Sequence, residues 1–195
     1  MTSQRTQKAA VLGGLGAVVA FLVLYMIAMS LDPGYVFGKN YLSDLGVSNG
    51  AWAFNAGLIL TGLLLMPFSV LGLGPALGDT KWAMTSKIML VIAALFLVSI
   101  GVFTEDAGDI HGFVSYGFFL TMLVAFVFVA LALYKTQYLG ESGYGFTLLI
   151  FVLGLILLPM GGDPLSETVA VLGIIAWGLV MGSLLLLKMS GKSVP

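Results

Sequence analysis

The residues able to do chemistry are few, and they cluster. Residues 103–112 read FTEDAGDIHG, which puts Glu105, Asp106, Asp109 and His111, the only histidine of the chain, within ten positions. Two further segments are similarly loaded. YLSDLG at 41–46 brings Ser43 and Asp44, with Asn55 soon after, and GGDPLSET at 161–168 brings Asp163, Ser166, Glu167 and Thr168. Carboxylates beside one imidazole can pair as general acid and base, or hold a divalent cation through oxygen ligands. A hydroxyl such as Ser43 can serve as nucleophile, with His111 as its base and a carboxylate orienting the ring. The catalytic candidates are therefore Ser43, Asp44, Asp106 and His111; Asn55, Asp109, Asp163 and Glu167 are the candidate binding groups. A divalent cation is the cofactor this set suits, and the residues do not specify which.

Simpler roles compete with these. Asp109 stands where a helix should begin, a common place for an N-cap. Asp163 followed by Pro164 reads as an N-cap with proline in the first helical position. Glu167 in that first turn complements the helix dipole. Asp44, Asn55, Asp106 and His111 are less easily explained in this way.

The surroundings of these residues are very apolar. Of 195 residues 59% are hydrophobic and 9% charged, and mean hydropathy is +1.09. A water-soluble domain carries about 25% charged residues, so the solvent implied here is the bilayer. The net charge of -1 gives no basic field for nucleic acid. The absence of cysteine excludes disulfides, iron-sulfur clusters and thiolate nucleophiles. A single histidine excludes bis-histidine haem and a three-histidine zinc site within one chain.

Crossing a hydrocarbon core about 30 Å thick takes about 20 apolar residues. Six stretches qualify: 9–31, 51–74, 86–103, 113–134, 144–160 and 167–187. The first is too long for a signal-peptide core and reads as a membrane span. The fifth is short, and Pro159, Met160, Gly161 and Gly162 suggest a partly re-entrant end. The runs are continuous rather than alternating, which excludes barrel strands. The expected fold is an all-α polytopic bundle of six transmembrane helices, forming one domain over 1–195. With both termini on one side, Arg5, Lys8, Lys81, Lys87, Lys135, Lys188 and Lys192 share that side, against Lys39 alone opposite. The positive-inside rule then makes both termini cytoplasmic, in a multi-pass protein of the cell membrane. Most acidic residues fall on the outer side.

The longest outer connection, 32–50, is too apolar for a free linker; Tyr35, Val36, Phe37, Tyr41, Leu42 and Leu45 suggest a short amphipathic turn or helix folded over the bundle mouth. Inner connections are expected at 75–85 and 135–143. Within the spans the deep polar groups are uncharged, among them Asn55, Ser69, Ser99, Ser115, Thr121 and Thr147. Proton and ion translocators place ionisable groups at that depth, so the pattern disfavours them. Gly178 with Gly182, and Gly16 with Ala20, offer small-residue faces for close packing within the bundle or between copies.

Three of these stretches together resemble a known family. YLSDLG with FNAGLILTGLLL (54–65), GVFTEDAGDIHG (101–112) and ETVAVLGIIAWG (167–178) resemble, in order and spacing, the domain-of-unknown-function 998 membrane family. The resemblance implies a bundle of about six helices and carries Ser43, Asp44, Asn55, Asp106 and His111 over as matching polar positions. Thr104 stands where that family's pattern has proline, and Ser115 where many members have a second histidine. A more distant similarity runs to FRAG/DRAM/Sfk-type membrane proteins and to ceramidase-like membrane hydrolases, whose zinc-binding histidines are lacking here.

The function expected from these readings is an outward-facing polar pocket that binds or modifies a lipid-like or amphiphilic molecule, with membrane lipids as partners. The alternatives are a non-catalytic assembly subunit and, further off, a small-solute permease.

Overall fold

A chain surrounded by hydrocarbon has no water to satisfy its peptide groups, so continuous apolar runs must close their hydrogen bonds internally as helices. The computed structural model describes residues 3–157 and 163–192. It contains six membrane-length helices: α1 Gln4–Leu31, α2 Ala51–Leu77, α3 Lys81–Val102, α4 Asp109–Thr136, α5 Gly140–Leu157 and α6 Pro164–Met189. Two 3-10 turns, Leu42–Val47 and Glu105–Ala107, lie between them. Among the described residues there is no strand.

Each helix packs against its neighbours in sequence, and α6 closes on α1 to complete a ring. Short connections make adjacent helices antiparallel, which dictates this order. The most extensive pairings, α1–α2, α2–α3 and α3–α4, depend on small residues. A Cβ on Gly62 would lie 2.7 Å from the Ala94 carbonyl oxygen, and one on Gly101 2.8 Å from that of Asn55. The Phe96 ring occupies the space over Gly117 in the same way. Gly182 is pressed against Leu15 and Gly178 against Val18, so this small-residue face of α6 is used inside the chain, on α1.

Helix α2 is not uniform. Pro67 has no N–H to donate, and the helix widens into a π segment over Phe68–Leu73 just after it. The buried Gln7 side chain of α1 donates from Nε2 to the Gly72 carbonyl at 3.0 Å, satisfying a backbone group of that segment. The helix then continues to Leu77, inside the connection expected at 75–85.

The other helices also outrun their apolar stretches. Polar first turns extend α3 back to Lys81, capped by Thr80, and α5 back to Gly140. The N-cap of α4 is Gly108, at φ 60° and ψ −121°, and Asp109 is instead the first helical residue. The expected N-cap at Asp163 is present: its carboxylate accepts from Ser166 N at 3.2 Å and Ser166 Oγ at 2.8 Å, with Pro164 opening α6. The partly re-entrant turn expected around residues 159–162 lies outside the described residues.

Large apolar side chains point outward along the spans, including Met26, Leu63, Met84, Leu95, Phe113 and Ile156. Facing lipid, they need no cover. Deep hydroxyls are satisfied on their own helices: Ser69, Ser99, Thr121 and Thr147 each donate to the carbonyl four residues earlier. The start of α1 and the end of α6 share a face, where Gln4 Nε2 reaches the Met189 carbonyl at 3.5 Å. The opposite face carries residues 32–50 and 103–108 and the start of α6; it forms the mouth.

Candidate functional site

The mouth is built by stitching a long loop down onto the ring. Asn40 accepts from Val36 N at 2.9 Å and donates from Nδ2 to Asp44 Oδ2 at 3.1 Å; Tyr41 N donates to the same oxygen at 3.1 Å. These bonds shape the 3-10 turn Leu42–Val47, which buries Leu42 and Leu45, three residues apart and so on one side of the turn. Two anchors hold the turn. Leu42 N donates to Glu167 Oε2 at 2.9 Å, and Asn55 Nδ2 donates to the Gly46 carbonyl at 2.9 Å. The Tyr25 and Tyr35 hydroxyls, 3.3 Å apart, tie the loop's first half to α1.

The second segment folds back on itself. Phe103 ends α3, leaving its carbonyl without a helical partner. His111, in the first turn of α4, bonds that oxygen through Nδ1 at 2.8 Å. With Nδ1 as donor, Nε2 is the acceptor, and Ser115 Oγ one turn further along lies 3.3 Å from it. Between α3 and α4 the two acidic neighbours part. Asp106 is exposed and accepts from Thr104 Oγ1. Glu105 turns inward, within hydrogen-bonding reach of Asp44, and burial together with the Asp44 carboxylate pushes its carboxyl above the usual range. His111 opposes that effect.

Below this polar layer lies a cavity of about 340 Å³ between α4, α5 and α6. Tyr41, Ser43, Glu105, His111, Ser115 and Glu167 stand at its mouth end. Its walls are apolar, from Phe119 and Met122 on α4, Leu153 and Gly154 on α5 and Ala170 and Ile174 on α6. Phe126 lies at the foot, and its ring meets the buried Trp177 edge-on at 5.0 Å. Trp177 Nε1 donates to Thr147 Oγ1 at 3.0 Å, joining α6 to α5 beneath the hollow. A second cavity, about 110 Å³, reaches toward the ring's centre against Phe54, Leu58 and Trp177. Ser43, His111, Ser115 and Glu167 border both, so the two are branches from one polar junction.

The eight candidate residues thus divide. Ser43, His111, Asp163 and Glu167 line the larger cavity. Asp44 stands just behind, against Glu105. Asn55 anchors the loop, while Asp106 and Asp109 are exposed at the turn. Glu105, Tyr41, Ser115 and Ser166 line the cavity without having been singled out for a role. Ser115 carried a readable signal, since a hydroxyl four residues after a histidine shares its helix face. Glu105 did not, because which of two adjacent carboxylates turns inward depends on the 3-10 turn.

Among the described residues no group of three or more His, Asp or Glu side chains is placed to hold a metal ion. The arrangement offers carboxylate and imidazole acceptors, hydroxyl groups and a long apolar slot beneath them. No curated protein and no solved structure matches the chain. A family profile described as "Protein of unknown function (DUF998)" matches residues 15–189, from within α1 to the end of α6. The match takes in most of α1, all of α2 to α6 and all three segments of the mouth, and the chain belongs to that family of membrane proteins.

Proposed function

We propose that the protein binds a lipid-like amphiphile, with its apolar tail in the slot between α4, α5 and α6 and its head group at the Ser43–His111–Glu167 junction. One observation carries this reading: the polar groups of the 340 Å³ cavity sit together at the mouth end, and the remainder of its wall is apolar. A site of that size with a few convergent polar groups is the usual form of a small-molecule pocket. The seven basic residues on the terminal face argue, by the positive-inside rule, that the mouth opens away from the cytoplasm. A permease is not favoured, because Phe126 and Trp177 close the foot of the slot with an apolar, tightly packed floor.

A chemical step is the second reading, and a single contact favours it. Ser115 Oγ faces His111 Nε2, and the Phe103 carbonyl fixes the imidazole tautomer that would accept the hydroxyl proton. In this version the residues act on the bound head group.

The test is native mass spectrometry of the purified protein released from detergent. Retained amphiphile is expected in the wild type and is expected to be lost in Gly154→Phe, whose ring would occupy the slot, and in Ala170→Trp. Equal retention by all three proteins would contradict the slot. An unliganded wild type across lipid-supplemented preparations would favour a packing role for the mouth.

A further inference from the structure

The junction's hydrogen-bonding character constrains what can occupy it. At the polar end of the slot, Glu105, Asp163 and Glu167 present carboxyl oxygens as acceptors, while His111 Nε2 faces Ser115 Oγ. Asp44 adds a fourth carboxylate directly behind Glu105. No Lys or Arg lines either branch among the described residues. The basic residues are at the other face, except Lys39, which is exposed on the loop. Ser166 already donates to Asp163. The other donor groups at the slot are hydroxyls, which carry no charge to neutralise a head group.

An anionic head group placed here would face like charges, most closely the half-buried Glu167, where repulsion is less screened than at the open surface. A bridging cation is the usual remedy, and the described residues provide no cluster for one. A head group bearing an ammonium or several hydroxyls would instead donate to Glu167 and Glu105. Resting on the amphiphile reading above, we propose that this site selects lipids with a hydrogen-bond-donating, cationic or uncharged head, a long-chain amine above all, and rejects phosphate and carboxylate heads. The larger branch holds the chain. The discrimination comes from the head group alone, because the tail contacts are generic apolar surface.

Three probes of identical chain length separate the outcomes: hexadecylamine, hexadecanol and hexadecyl phosphate. Each competes in equimolar mixture for the full-length protein in a neutral detergent, with bound species counted by native mass spectrometry. The amine is expected to outcompete the phosphate at least tenfold, with the alcohol between them. Glu167→Gln and Glu105→Gln should shrink the amine's advantage over the phosphate several-fold. Hexadecyl phosphate binding as well as or better than the amine, in a manner lost in Gly154→Phe, would overturn the head-group selection and leave the slot standing. Failure of all three probes to bind above the Gly154→Phe background would remove the slot and this inference with it. An amine advantage that persists in both Gln variants would also overturn it, since the carboxylates would then not be its source.

Discussion

The two halves of the ring are packed by different rules. From α1 to α4, helices cross at glycines so close that a single methyl group has nowhere to go: Gly62 on Ala94, Gly101 on Asn55, Gly117 on Phe96. From α4 through α5 to α6, close contact gives way to the 340 Å³ hollow, and Gly154 there meets only the end of the Leu123 side chain, at 3.0 Å from a Cβ position. Both regions are made of similarly oily helices, so composition does not create the difference. Position of small residues does: in the first half Gly62, Gly101 and Gly117 each receive a neighbour, and in the second Gly154 and Ala170 line the hollow. The first half is scaffold, and the second is where something else can fit.

That contrast can be broken by substitution. The largest effect is expected at the floor joining the halves. Trp177→Ala should cost about 3–5 kcal/mol, because it removes a fully buried ring and leaves Thr147 without its donor; detergent thermal unfolding measures this. Gly62→Leu in the tight half should destabilise by about 3 kcal/mol, since the Ala94 backbone cannot yield as a flexible side chain would. Asn55→Ala should cost about 1–2 kcal/mol by stranding the Gly46 carbonyl, and should loosen the mouth loop to limited proteolysis. Gly154→Phe, by contrast, should cost less than Gly62→Leu, because only the end of the Leu123 side chain must yield and the ring enters the slot, while abolishing amphiphile retention. If Gly154→Phe unfolds the protein as readily as Gly62→Leu, the halves are not different.

The smallest effect is electrostatic and concerns the mouth. The Glu105 carboxyl titrates above its unfolded value, so over that interval the folded chain holds the proton more tightly than the unfolded one. Its contribution to stability should therefore be greatest below the ordinary glutamate range and be lost as pH rises through the raised value. In Glu105→Gln that decline should shrink, leaving the variant slightly more stable than wild type at neutral pH. Asp163 behaves oppositely. Its carboxylate is held down by the Ser166 hydroxyl and amide, so its capping contribution is lost as pH falls through the depressed value. A stability profile flat in both proteins would deny the Glu105–Asp44 contact.

Much of the scaffold was legible in the sequence because each span announces itself independently. Six apolar stretches gave six helices, and the Asp163–Pro164 pair gave the start of α6. Helix ends were less legible, because polar first turns such as Lys81–Thr85 belong to α3 without adding apolar length. The π segment after Pro67 depends on the buried contacts of Phe68 and Gln7, which no local pattern encodes. At the mouth, the gathering of polar residues was readable and their directions were not. Asp106 and Glu105 are adjacent and of like chemistry, and only the 3-10 turn and the Asp44 side chain decide which lines the slot. Glu167 read as a dipole-complementing first-turn residue; its bond to Leu42 N, 125 positions away, makes it a tie between loop and α6 as well.

The most direct test reads the slot from inside. Trp177 borders the branched hollow, and Trp52→Phe with Trp82→Phe leaves it as the only tryptophan. Its fluorescence is then titrated with a chain-brominated hexadecylamine, alongside the same protein carrying Gly154→Phe. The account predicts saturable quenching in the first protein, and its loss or a tenfold weaker midpoint in the second. Quenching that is linear in probe and identical in both would mean that the chain reaches Trp177 only as bulk solvent, and would contradict the account.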